Sequence, residues 1–193
     1  MSEKSSKKGA KLMKNINVPV GISNFEKIRQ DGYYYVDKTG LIKDMLENKI
    51  PEVTLITRPR RFGKTLVMSM LASFFDIKRD SKEFFQGLEI TKEEKICKEF
   101  MNQYPTLFLS FKDVDGTTFE NAFGLLQLMI SDICKKNAYL LESEFIDEDD
   151  KKIFKRLKSR EASLSEIQSS IVLLMNMMYQ SLRQAVMDII KKC

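Results

Sequence analysis

The chain has 193 residues, with 32 Lys and Arg against 27 Asp and Glu, a formal charge of +5 and 43% hydrophobic residues. That is one globular domain's worth of sequence, large enough to bury a core without a disulfide or metal staple. The absence of histidine excludes Ser-His-Asp and Cys-His catalysis, the common zinc sites and any imidazole switch.

Lys4, Lys7, Lys8, Lys11 and Lys14 against Glu3 place +4 of the total charge in residues 1–14. A Ser/Lys/Gly-rich start has too little apolar content to order itself, so residues 1–17 are expected to form a flexible basic tail, solvated rather than bound. No apolar run follows it as a signal peptide requires, and no stretch approaches the ~18 apolar residues of a membrane span. Cys97, Cys134 and Cys193 share no C-x-x-C spacing and read as reduced thiols, the first two as small core residues. A soluble, cytoplasmic protein with no membrane partner is expected.

In chain order, Asn24 can cap a short helix to Gln30 with Phe25 and Ile28 on one face, and Asp31-Gly32 makes a turn. Tyr33–Val36 has strand propensity, and a helix from Thr39 carries Leu41, Ile42, Met45 and Leu46 before Pro51 breaks it. Val53–Ile56 reads as a strand buried on both faces, and the run LVMSMLASFF after Thr65 as a buried helix. Thr91–Glu94 offers a capping box for a helix to about Asn102, and Thr106–Phe111 reads as a further strand. Thr117 or Thr118 then opens a long helix through Ile133, and the acidic turn Asp147–Asp150 leads into the basic helix KKIFKRLKSR. A last helix begins at the capping box Ser163–Glu166 and places Ile167, Ile171, Leu174, Met178 and Leu182 on one face. Strands alternating with helices predict an α/β fold, a P-loop-like parallel sheet flanked by helices, helix-rich and incomplete toward the C-terminus.

The turn between the Val53–Ile56 strand and the following helix reads Thr57-Arg58-Pro59-Arg60-Arg61-Phe62-Gly63-Lys64-Thr65. Its last three residues are the second half of a Walker A motif, G-x-x-x-x-G-K-[ST]. Gly63 lets the backbone approach a phosphate, and the first amides of the helix aim their N–H groups and dipole at it. Lys64 would reach the β- and γ-phosphates, and the Thr65 hydroxyl would ligate Mg²⁺. The first glycine of the motif is replaced by Arg58, which cannot take positive φ cheaply, so the loop must follow another backbone path. Arg58, Arg60 and Arg61 are either additional phosphate clamps or solvated side chains. The three tyrosines at 33–35 are read first as core packing and second as neighbours of a bound adenine.

Residues Val18 to Tyr179 resemble the bacterial and archaeal AAA-ATPase-like family, on the strength of P-V-G-I-S-N-F-E-K-I-R at 19–29, Y-Y-Y-V-D-K-T at 33–39 and T-R-P-R-R-F-G-K-T at 57–65. The resemblance implies an ATP-binding Walker A loop formed by residues 58–65, with ATP and Mg²⁺ as cofactors. Many members are longer and carry a C-terminal PD-(D/E)XK nuclease-like domain that has no counterpart in this sequence. Asp37 and Lys38 match family positions without a derivable role.

An ATPase of this class also needs an apolar strand ending in paired acids, and none is found. Leu107–Asp113 is interrupted by Ser110 and Lys112, Asp113 and Asp115 read as turn residues, and Asp188 is in helical context. Residues 18–193 therefore read as an AAA-ATPase-like domain truncated before Walker B, binding Mg-ATP without efficient hydrolysis as an isolated chain. The alternative is a module without nucleotide chemistry, engaging nucleic-acid phosphates or a protein; nucleic acid is not favoured. The Met-rich run Leu173–Met178 either closes the core or offers a surface for self-association or a partner. A poorly folding remnant without function is a third reading.

Overall fold

The computed structural model describes residues 17–47, 54–57, 59 and 61–192, with side chains as far as residue 182. The expected basic tail lies outside the described residues except for Asn17, as do Val53 and Cys193. The described residues fall into two compact units, one holding residues up to Phe74 together with Arg79–Asn102, the other Phe75–Lys78 together with Gln103 onward.

In the first unit, α1 (Phe25–Gln30) starts where the Asn24 side chain accepts the Lys27 N–H at 2.9 Å. It stops at Gly32, whose φ of +67° lets Tyr33 N–H return to the Ile28 carbonyl at 3.0 Å. Helix α2 covers Gly40–Glu47 and α3 covers Lys64–Phe75. Phe25 N–H donates to Ser69 Oγ at 3.1 Å, and Ser73 Oγ donates to Glu26 Oε1 at 2.7 Å, which fastens α1 to α3. Arg79 joins the same carboxylate at 2.6 Å. Beneath these bonds Phe25, Phe74 and Phe85 are fully buried, with Phe85 centroids 4.8 Å from Phe25 and 5.4 Å from Phe74. Phe85 belongs to α4 (Lys82–Phe85), which is followed by a 3₁₀ helix (Glu89–Lys92) and α5 (Glu94–Phe100). The capping box expected at Thr91–Glu94 does not form, because Thr91 sits inside the 3₁₀ helix and its hydroxyl donates to the Leu88 carbonyl.

The C-terminal end of α3 is tied down by polar groups. Its Ser73 carbonyl accepts the Ser81 hydroxyl at 2.7 Å and the Asn102 side-chain amide at 3.1 Å, and its Phe74 carbonyl accepts Asn102 N–H at 2.7 Å. These are acceptors that the helix itself cannot satisfy.

The second unit is built on α6 (Phe119–Lys136), α7 (Glu148–Ser159) and α8 (Leu164–Lys192), with a 3₁₀ helix at Ala138–Glu142. Thr118 and Asp147 cap α6 and α7 through their side chains, as their positions imply. At α8 the capping box is complete: Ser163 N–H donates to Glu166 Oε2 at 2.9 Å and Glu166 N–H to Ser163 Oγ at 3.3 Å. Arg156 of α7 also pairs with Glu166, and that hydrogen bond leads the causes that push the Glu166 carboxyl down to about 2. Leu174, Met177 and Met178 close a core with Ile130, Phe154 and Leu157, so half of the Met-rich run is interior, while Val172, Met175 and Tyr179 lie on the exposed face. Cys134 is in this core and burial pushes its thiol up to about 12. Cys97 in the first unit is half-buried, its thiol donating to the Ile90 carbonyl at 3.3 Å.

The parallel sheet predicted from the sequence is not formed. Among the described residues the β pairing consists of one isolated parallel bridge, Asp76 to Tyr104, closed by the Ile77 N–H bond to the Tyr104 carbonyl at 2.8 Å. Residues 33–36, 54–56 and 106–111 run without ladder partners. Tyr33 and Tyr34 spend their N–H groups on the Ile28 and Asn17 carbonyls, Leu55 is 82% exposed, and Phe108 and Phe111 are exposed as well. β-propensity measures fit to a half-buried pleated surface, and an apolar run with no neighbouring strand has no such surface to join. The α/β, P-loop-like class is therefore replaced by a helical one in the described residues.

Candidate functional site

The site is assembled around the N-terminal end of α3. Val67 N–H donates to the Gly63 carbonyl at 2.9 Å, so Gly63 caps the helix and the first turn directs its N–H groups and dipole toward the loop. The path that the missing first glycine demands is taken further along, with Arg61 at φ +69° and Gly63 at φ +77°. A left-handed arginine costs about 1–2 kcal/mol, a strain retained in the loop. Two lysines hold loop carbonyls: Lys64 Nζ donates to Pro59 O at 3.1 Å and Lys38 Nζ to Phe62 O at 3.4 Å.

Beside the loop lies a cavity of about 580 Å³. Val18, Pro19, Tyr34, Tyr35 and Val36 form one part of its lining, and Lys38, Arg61, Phe62, Gly63, Leu66 and Val67 the other. Tyr34 and Phe62 are 55% and 57% exposed, large apolar surface facing a concavity instead of a core. Tyr35 packs as the first reading of the tyrosines has it, edge-on to Phe25 with centroids 5.3 Å apart, and it also lines the cavity. Burial pushes its hydroxyl up to about 12. Among the described residues Lys38 and Arg61 are the cations of the lining, and no carboxylate belongs to it. A cavity of about 540 Å³ in the second unit, at the start of α6, has the opposite character, since Asp115 and Glu120 line it.

The segment that brings Lys38 to the loop is clamped. Asp37 Oδ1 accepts the Thr39 N–H at 2.8 Å and hydroxyl at 2.7 Å, and Oδ2 accepts Glu89 N–H at 2.7 Å. Thr39 is fully buried, its hydroxyl oxygen accepting Ile90 N–H at 3.2 Å. Burial pushes the Asp37 carboxyl up, but the hydrogen bonds from Thr39 and Glu89 outweigh it and leave the group below its ordinary value.

The family described as Predicted AAA-ATPase matches residues 19–191. The chain belongs to this AAA-ATPase-like family. It is also 36% identical over 100 residues to an uncharacterized protein in the vnfD 5′ region of Azotobacter chroococcum mcd 1, a match that covers 51% of this chain and 18% of that protein. No solved structure matches the chain.

Within this AAA-ATPase-like chain, the loop residues expected to bind phosphate are distributed unevenly. Arg61, Phe62 and Gly63 line the cavity, whereas Lys64 turns to the Pro59 carbonyl and Thr65 is exposed on the first turn of α3, off the lining. Arg58 and Arg60 lie outside the described residues. Asp113 falls in a turn, with Val114 N–H donating to the Phe111 carbonyl at 3.1 Å, and Asp115 follows it. Sequence reasoning noted Lys38 as a family position without a role and passed over Leu66; the Asp-Lys-Thr spacing is the signal for Lys38, because an Asp two residues before a buried Thr forms a local clamp and leaves the lysine between them outward. Among the described residues no group of three His, Cys, Asp or Glu is placed to hold a metal, and no helix is long and apolar enough to cross a membrane.

Proposed function

We propose that this AAA-ATPase-like chain binds Mg-ATP, its phosphates against the 59–65 loop and the first turn of α3, its nucleoside in the adjoining cavity. The observation that carries the reading is the joining of a glycine-capped helix start to a concavity lined by aromatic and cationic groups. Its volume lies within the roughly 300–1,000 Å³ of small-molecule sites. Lys64 would exchange the Pro59 carbonyl for phosphate oxygen, a stronger acceptor because it is charged. Arg61 would add a second contact, the first of the two alternatives that the sequence left open for it. Thr65 would offer its hydroxyl to Mg²⁺, with phosphate oxygens and water filling the other positions. Because the sequence offers no apolar strand ending in paired acids to position water, turnover by this chain alone is expected to be negligible.

The competing reading, nucleic-acid phosphates held by the same cations, draws on the exposed Phe62 and Tyr34 as stacking surfaces. Calorimetric titration with Mg-ATP separates the two. Binding that is lost on Lys64→Ala and weakened on Thr65→Ala, with a thermal midpoint raised by nucleotide, supports the ATP reading. No Mg-ATP binding, together with oligonucleotide binding that falls steeply with salt, would overturn it.

A further inference from the structure

We infer that Lys38 is a second phosphate-binding cation of the cavity, presented to the loop by the clamp at Asp37 and Thr39; the inference rests on the Mg-ATP reading above. The residues on either side of Lys38 are immobilised, Asp37 by three accepted hydrogen bonds and Thr39 by burial and its bond from Ile90 N–H. The backbone is thereby held while the lysine side chain extends to the 62–63 stretch of the loop. Its ammonium lies 3.4 Å from the Phe62 carbonyl and 3.8 Å from the place a Cβ on Gly63 would occupy. It therefore stands over the bare face of the one residue whose missing side chain opens the loop backbone to an anion.

The acceptor it holds is a neutral carbonyl at the long end of hydrogen-bonding distance. A phosphate oxygen in the cavity offers the same ammonium a shorter, charge-assisted contact. Lys64 and Lys38 hold two different carbonyls of the loop, those of Pro59 and Phe62, so a triphosphate against the loop would meet two ammonium groups. The chemical class implied is a ligand with several anionic oxygens beside a flat or apolar body, the body lying along Tyr34 and Val36.

The test titrates the full chain and its Lys38→Met, Lys38→Arg and Lys64→Met variants with Mg-ATP, Mg-ADP, AMP and adenosine by calorimetry. Lys38→Met is expected to weaken Mg-ATP about 10- to 100-fold, the loss of one charged hydrogen bond, while adenosine affinity changes less than about twofold. The gain in affinity from each added phosphate flattens in that variant and returns in Lys38→Arg. Lys38 is exposed and gives up one long bond to the Phe62 carbonyl, so the unliganded melting curve should move little beside the change in Mg-ATP affinity. If Lys38→Met binds Mg-ATP like the wild type while Lys64→Met does not, Lys38 is no ligand and the loop reading stands. Equal losses for adenosine and Mg-ATP would mean a structural role and overturn the inference. A wild-type chain that binds no Mg-ATP overturns both readings.

Discussion

Replacing Asp37 with alanine removes one carboxylate that accepts three hydrogen bonds, at 2.7, 2.7 and 2.8 Å. Hydrogen bonds to a charged acceptor contribute about 1.5–3 kcal/mol each when buried, but Asp37 is itself exposed and the Glu89 amide can turn to water. The loss that solvent cannot repair is at Thr39, whose N–H and hydroxyl are buried. We therefore expect Asp37→Ala to destabilise the chain by about 2 kcal/mol, and Asp37→Asn by about half that, because its amide oxygen still accepts from Thr39. The pH dependence follows from the depressed carboxyl. Its contribution is present above the ordinary carboxyl value of 3.8 and is lost as pH falls through and below it. Urea denaturation of wild type and variant at neutral pH and in acid reads both effects. A difference below about 0.5 kcal/mol at neutral pH, the scatter of ordinary surface substitutions, or a gap that does not narrow in acid, would refute the clamp.

Gly63→Ala forces a side chain into φ +77° with Lys38 Nζ 3.8 Å away, so urea unfolding should show a cost of about 1 kcal/mol while Mg-ATP affinity drops further than that strain alone explains. Phe85→Ala, between Phe25 and Phe74 with no exposure, should cost about 3–5 kcal/mol and is read by the same assay. Tyr35 should ionise near pH 12 by ultraviolet titration. Its raised hydroxyl makes its share of stability complete below the ordinary value of 10.0, with loss as pH climbs toward 12. Replacing Tyr35 with Phe should flatten that alkaline loss.

Helix boundaries were legible wherever the signal was local. Asn24, Thr118 and the Ser163–Glu166 box each form the cap that their residue type and position imply, while the acidic residues read as a turn before the basic helix are its first turn, capped by Asp147. What was not legible depends on partners distant in the chain. Tyr33–Val36 and Thr106–Phe111 have the composition of strands, but pairing is a property of two segments and neither run carries information about a mate. Thr91 fails as a cap for a related reason: its hydroxyl closes a tighter turn on Leu88 that competes with the next helix. In the site, the Gly63-Lys64-Thr65 spacing located the helix start, yet the cavity owes much of its lining to Val18, Tyr34 and Lys38, which only folding brings alongside. The three family motifs, taken together, pointed at the same neighbourhood as the cavity, and single-residue chemistry did not.

The polar knot at Ser73, Ser81 and Asn102 fixes which end of α3 is the fulcrum. With the tail of the helix fastened through two of its own carbonyls, tilting must be concentrated at the opposite tip, among residues 61–66. Deuterium uptake should accordingly run as a gradient along α3, fast at the tip and slow at the fulcrum, with a tip-bound guest slowing only the fast end.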